Sequence, residues 1–326
     1  MKRILSAIFP LAVLAAFLAD CAPAAAAHTA AAPTSAPLTV TATADLSIRL
    51  TDGLGAEVVL AGPPARIISL GPSNTEILYA IGADDLLVGC DQFSDYPEAA
   101  KPLATISAGY GTLDMESIKA LEPDLVLAAE IISAEQVQAM RTLGLTVFYV
   151  ANPASLPDGL YAGIRSIGAV TGRTSGAEAL VASLQKRFQA VAEKTAAAGS
   201  RPLVYFELDG TDPAQPYTAG PGSFIDMLIG SAGGRNLGAS LTSAWAQISA
   251  EEILLQDPDV ILLGDTGFGV TPESVAARPG WGNLKAVRNG TVFAVDSNLV
   301  LRPGPRLIDG LEIMAARIHP ELFAAA

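Results

Sequence analysis

The chain has 326 residues, is half hydrophobic and carries a formal charge of −13. Such an acidic balance excludes a nucleic-acid backbone as the natural partner, because phosphates are met by clustered Lys and Arg. Two cysteines and two histidines exclude a disulfide framework and a Cys/His metal cluster, and the length suits two domains of ordinary size.

Lys2 and Arg3 precede an apolar run from Ile4 to Leu18, too short and wrongly flanked for a spanning helix, which reads as a secretory signal. Cys21 follows Leu18-Ala19-Asp20, which resembles a lipoprotein box with Asp20 in place of the usual small residue. The resemblance makes Cys21 the acylated first residue of the exported chain. The competing cut is after Ala25-Ala26-Ala27, of small-x-small form. Residues 22–45 begin with an Ala/Pro/Thr/Ser stretch poor in large apolar side chains and read as a flexible tether.

The first lobe is expected over residues 46–172. Residues 46–60 alternate as two short strands about Asp52-Gly53, a hairpin signal. Arg66–Leu70 is a buried strand, broken by Gly71-Pro72. Ser73 then caps a helix with Glu76 three residues on, so Glu76 reads as a capping-box carboxylate rather than a ligand group. Strands at Leu86–Gly89, Leu125–Ala128 and Thr146–Val150 alternate with helical stretches near 114–121 and 134–143, the rhythm of a parallel sheet covered by helices.

Ser175 to Ala198 reads as one uninterrupted helix within residues 173–200. Ser175 and Glu178 have capping-box spacing, and Ala177, Leu180, Val181, Leu184, Phe188 and Val191 recur on one face. Such a helix is roughly 35 Å long, the width of a small domain. It separates two matching blocks. Glu116-Ser-Ile-Lys-Ala-Leu-Glu-Pro-Asp and Glu251-Glu-Ile-Leu-Leu-Gln-Asp-Pro-Asp share Glu, Ile, Pro and Asp in register, each followed by a buried-strand run. Proline disfavours helix in the residue before it, so each block is a short helix that stops and turns into a strand. The fold expected is α/β, two Rossmann-like lobes joined by one long helix.

The second lobe, over 201–326, has strands at Leu203–Glu207, Val260–Leu263 and Thr291–Val295, and a closing helix after Arg302-Pro-Gly-Pro-Arg306 that runs through Ile318. Gly220-Pro-Gly-Ser allows close backbone approach but lacks the Gly-Lys-Ser/Thr of a phosphate loop.

Arg66-Ile-Ile-Ser-Leu-Gly-Pro-Ser-Asn-Thr-Glu76, Gly89-Cys-Asp-Gln-Phe-Ser-Asp-Tyr-Pro97 and Leu113-Asp-Met-Glu116 through Val126 resemble, in order, blocks of the solute-binding proteins that serve ABC importers of ferric siderophores, haem and cobalamin. The resemblance runs from about residue 62 to residue 321. It implies a binding protein rather than an enzyme, without cofactor or bound metal. Its partners would be a small-molecule ligand and a membrane permease dimer. A monomer is expected, in the periplasm or on the outer face of the cytoplasmic membrane.

The resemblance also assigns residues. Glu116 and Glu251 occupy the positions of the glutamates that dock on the permease, with Glu252 the alternative to Glu251; a helix-dipole role would need no partner. Phe93, Tyr110, Tyr217 and Trp245 lie beside Gly, Pro or Ser in segments that read as loops at strand ends, and fall where cobalamin-binding members place ring-contacting aromatics. Ala129 stands where those members have another large aromatic. Tyr110 could instead offer a phenolate to haem iron. Arg302 and Arg306 could hold the carboxylates of an acidic siderophore or haem, or pair with a nearby acid. Asp296 and Asn298 could hydrogen-bond amides on a corrin periphery. The ligand expected is a cobalamin-like corrinoid, with a ferric siderophore or haem as the alternative. An enzyme is disfavoured because His28 lies in the tether, His319 ends the last helix, and no nucleophile motif appears.

Overall fold

The computed structural model describes residues 47–107 and 112–323. Cys21, the signal, the whole tether and Tyr110 lie outside the described residues.

A hairpin comes first. Strands β1 (Ile48–Thr51) and β2 (Glu57–Leu60) pair antiparallel. The buried Asp52 closes the turn by accepting from the backbone N–H groups of Leu54 and Ala56 at 2.9 and 3.0 Å. The same carboxylate meets Arg141 and the backbone of Tyr149, so the hairpin is tied to the lobe behind it.

The first sheet contains β3 (Ile67–Leu70), β4 (Leu87–Asp91), β5 (Ala104–Ile106), β6 (Leu125–Ala128) and β7 (Val147–Tyr149). Their order is β5-β4-β3-β6-β7, all parallel. Strands β3, β6 and β7 are buried throughout, as strands covered on both faces must be. Helices α1 (Pro72–Ala80), α2 (Met115–Ala120), α3 (Ala134–Thr142) and α4 (Asp158–Val170) connect and cover them. The sequence reading passed over β5 and α4.

Helix α5 (Thr174–Ala196) is the long helix, 23 residues and so roughly 35 Å. It buries Ala177, Val181, Leu184 and Val191. Its start differs from expectation. The N-cap is Arg173, with no side-chain cap, and Glu178 instead receives both Nε and Nη2 of Arg165 on α4, at 2.9 and 3.1 Å. The helix ends at Ala196 rather than running to Ala198. At its first turn Gly176 lies so close to α1 that a Cβ there would stand 2.2 Å from the Ile81 carbonyl oxygen. Toward the other end, Arg187 binds Glu312 at 2.9 and 2.6 Å and Asp309 at 2.5 Å. One hydrophobic core thus runs along α5, from Ile67 and Leu78 on one side to Leu228 and Leu311 on the other.

The second sheet holds β8 (Leu203–Asp209), β9 (Tyr217–Ala219), β11 (Trp245–Gln247), β12 (Val260–Leu263) and β13 (Val292–Ala294), in the order β11-β9-β8-β12-β13, with β10 (Arg235–Asn236) pairing β8 off this path. Strands β8, β12 and β13 are parallel, whereas β9 runs antiparallel to β8 and β11 antiparallel to β9. The expected parallel set therefore carries an antiparallel edge. Helices α6 (Phe224–Ser231), α7 (Ala250–Gln256), α8 (Pro272–Ala276), α9 (Lys285–Arg288), α10 (Ser297–Val300) and α11 (Leu307–Ile318) complete this half.

The matched blocks fold alike. Asp124 accepts from Ala65 N and Arg66 N at 2.8 and 2.9 Å, and Asp259 from Leu203 N at 2.8 Å; each Asp fastens the start of a neighbouring central strand. The residue before each proline, Glu122 or Asp257, takes a positive φ, 44° and 50°, which ends the helix. Glu116 and Glu251 are both the second residue of their helices, behind the caps Asp114 and Ser249, and both are exposed.

Candidate ligand-binding site

Ligands of open α/β sheets bind beyond the carboxyl ends of the strands. Here such ends from the two sheets face one cavity of about 530 Å³. From the first side come Pro72 and Ser73 after β3, Ala129, Glu130 and Ile131 after β6, and Asn152 after β7. From the second come Leu208 on β8, Phe224 at the start of α6, Trp245 on β11, and Leu301, Arg302 and Pro303 before α11. The volume is in the range of small-molecule sites.

The apolar wall is built from Trp245 and Phe224. Ser223 caps α6 through its side chain and so places Phe224 at the helix start. The Phe224 ring meets Trp245 edge-on, with centroids 5.4 Å apart and planes at 69°. Phe224 is buried while Trp245 stays 37% exposed, so the indole is fixed on one side and open on the other.

Beside this wall the two sheets are joined by ions. Arg306 gives Nε and Nη2 to the two oxygens of Glu76, at 3.0 and 2.5 Å, and its guanidinium lies 3.9 Å from the centre of the Tyr96 ring. Arg302 binds Asp95 at 2.6 Å and comes within 3.7 Å of Glu76. Glu76 is 3% exposed. The capping-box reading of Glu76 is thus corrected. Gly71, before Pro72, is the N-cap of α1, so Glu76 lies too deep in the helix to cap it and instead reaches the other sheet's loop. Gly304 lets that loop come close, since a Cβ there would stand 3.3 Å from Ser73 Cα. Hydrogen bonding to Glu76 raises the Arg306 pKa further. At Asp95 burial acts upward, but the Arg302 hydrogen bond and charge prevail and lower the carboxyl pKa.

Of the residues read from sequence, Trp245, Arg302 and Ala129 line the cavity. Arg306 stands behind Arg302, engaged by Glu76. Phe93 is 45% exposed in the turn after β4, held by Asp91, and is not in the cavity wall. Asp91 is buried and bonded to Ser94, which meets Thr75 at 2.8 Å, so the turn is rigidly backed. Tyr217 and Trp245 are in strands, not loops. Tyr217 is on the same hairpin face as Trp245, 43% exposed, and outside the cavity wall. Asp296 caps α10 by accepting from Asn298 N at 2.9 Å, and Asn298 is likewise not in the wall. Phe224, Glu130, Ile131 and Asn152 were missed. Phe224 follows directly on its cap Ser223, and Glu130, Ile131 and Asn152 come two or three residues after a strand end, a position the sequence offers without showing that it meets the other sheet.

Glu252 accepts from Gln256 Nε2 at 2.7 Å, which leaves Glu251 as the freer of the two adjacent carboxylates. His319 is buried, with its ring nitrogens 3.2 Å from the Gly233 carbonyl and from Glu321. Among the described residues no cluster of three or more His, Cys, Asp or Glu is placed to hold a metal ion, and no helix is long and apolar enough to cross a membrane.

Residues 67–299 match the model of a family described as periplasmic binding protein. An uncharacterized ABC transporter substrate-binding lipoprotein of Bacillus subtilis, YvrC, is 34% identical over 281 residues, covering 85% of this chain and 87% of that one. A cobalamin-binding protein of Halobacterium salinarum is also 34% identical over 281 residues, covering 82% of this chain and 73% of its own. Among solved structures, the periplasmic heme-binding protein BhuT in complex with two hemes superposes with a TM-score of 0.72 at 27% identity, covering 80% of this chain and 100% of that one. With the family model matching well over half its length, and two sheets facing one cleft, the chain belongs to the periplasmic binding protein family.

Proposed function

We propose that this chain is the extracytoplasmic substrate-binding component of an ABC importer, and that it captures a corrinoid in the cavity between its sheets. The observation that carries this reading is the cavity itself: a fixed but half-open Trp245 on one side, Ala129 and Ile131 on the other, and an adjacent pair of arginines already neutralised by Glu76 and Asp95. A corrinoid presents apolar ring surface and neutral amide arms. It needs flat apolar walls and neutral polar groups, which Ser73 and Asn152 supply. The cobalamin-binding relative supports this choice. Haem or a ferric siderophore is the second reading, favoured by the likeness to a heme-binding structure. Its carboxylates would call for free cations, and both candidate arginines are engaged. The role is binding rather than catalysis.

Delivery follows from the matched helices. Glu116 and Glu251 hold the same helical position in the two halves, exposed and ready to meet basic residues of a permease dimer; such rim charges set register and encounter rate more than affinity. Cys21 is the proposed lipid anchor, in keeping with the lipoprotein relative.

Tryptophan fluorescence tests the ligand. The chain has two tryptophans, and the second, Trp281, is buried in the second half's core away from the cavity. Cyanocobalamin is expected to quench saturably, with Trp245→Ala losing that signal and weakening affinity, measured by dialysis, about thirty-fold, as for a central aromatic anchor. Binding of haemin or a ferric chelate alone would move the function to iron uptake. In the same background, Glu116→Lys with Glu251→Lys should abolish uptake and leave affinity unchanged; surviving uptake would contradict the docking assignment.

A further inference from the structure

We propose that Glu130 is a specificity-determining residue that rejects anionic ligands from this cavity. The inference rests on ligand capture in the cleft and sharpens it.

Two charged side chains line the cavity among the described residues, Glu130 and Arg302. Arg302 belongs to a closed group of four, in which Glu76 and Asp95 balance Arg302 and Arg306 through contacts of 2.5 to 3.7 Å. That group offers no surplus positive charge. Among the described residues Glu130 has no ion-pair partner, and partial burial pushes its carboxyl pKa upward. Its charge is felt by the Tyr149 hydroxyl, whose pKa is raised by burial first and then by Glu130 and Asp52. The cavity therefore presents one uncompensated negative group at its wall, next to the small Ala129. A lone carboxylate accepts hydrogen bonds from amide N–H groups and repels carboxylates. It is the repulsive element that selection between two otherwise similar flat ligands requires.

The test compares ligands that differ only in charge. The full chain is titrated with cyanocobalamin and with its mixed monocarboxylic acids, in which one peripheral amide is hydrolysed. Haemin and its dimethyl ester form a second pair. The neutral member of a bound pair is expected to bind about ten-fold tighter than its acid. Glu130→Gln should close that gap to about two-fold, and Glu130→Lys should reverse it. Glu130 is exposed at its rim, so both variants should melt with the parent chain. A gap that Glu130→Gln leaves unchanged overturns the inference while the cleft reading stands. A chain that binds neither pair overturns both.

Discussion

Two buried ion pairs of this protein have nearly the same chemistry and different positions. Glu207 receives Nη1 and Nη2 of Arg278 at 2.5 and 2.7 Å; Glu76 receives Arg306 at 3.0 and 2.5 Å. Both carboxylates are buried, and both guanidiniums stack on an aromatic ring, Trp281 at 4.7 Å and Tyr96 at 3.9 Å. Glu207–Arg278 lies inside the second half, on β8 and just past α8. Tyr205, also on β8, donates to the same carboxylate at 3.1 Å. Glu76–Arg306 joins α1 of the first sheet to the entrance of α11 in the second. The first pair can be parted only by unfolding its half. The second parts whenever the halves move, and it sits beside the cavity. Position in the topology, more than bond geometry, decides whether such a pair serves stability or ligand capture.

The largest effect should come from breaking the inner pair. Glu207→Ala removes the bidentate partner of the nearly buried Arg278 and leaves it only the more distant Asp265 charge, and urea unfolding should show a loss of about 3–5 kcal/mol. A loss under about 1 kcal/mol would erase the distinction. Next is Asp265, buried beside Glu207, whose Oδ2 accepts from Gly210 N while Oδ1 has no partner among the described residues. Burial, then the Glu207 charge, pushes its carboxyl up to about 6. The folded chain thus holds this proton more tightly than the unfolded one. The stability it gives is complete below the unfolded value near 4 and is lost as pH rises through about 6. Unfolding at pH 4 and pH 7 should differ by on the order of 2 kcal/mol through this group, and Asp265→Asn should remove that difference.

The smallest stability effect belongs to the pair between the sheets. Glu76→Gln preserves shape but removes the charge, and Arg306 can turn toward the cleft. The expected cost is about 1–2 kcal/mol, with haemin affinity rising because Arg306 becomes available while Arg302 keeps Asp95. A cost equal to that of Glu207→Ala would place both pairs in one class.

The same contrast explains what was legible in the sequence. The repeated Glu-to-Pro-Asp blocks are local, so their helix stops and strand starts could be read from residue order, whereas the strand-fastening bonds of Asp124 and Asp259 reach residues 56 to 59 positions away and could not. The long helix was legible from its apolar stripe. Glu76 and Glu178 were not, because each has capping-box spacing to a serine while its partner lies on another element, 230 and 13 residues away. Tyr217 and Trp245 sit in three-residue strands, the first flanked by Pro216 and Gly220 and the second with Ser243 and Ser249 two residues from its ends, which reads as loop until the pairing register is known. The cavity wall was half legible: Trp245 stood out as a large aromatic, whereas Phe224, Glu130 and Asn152 became wall residues only through the meeting of two sheets.

In the proposed complex the cavity between the sheets takes a flat, neutral ligand against Trp245 while the adjacent ion group stays closed. The most direct measurement is a crystal structure of the chain grown with cyanocobalamin. The expected result is the corrin ring against Trp245 and Ala129, an amide arm at Glu130, and Glu76–Arg306 intact. A corrinoid bound outside the cavity, or Arg302 and Arg306 turned from their acids onto the ligand, would contradict it.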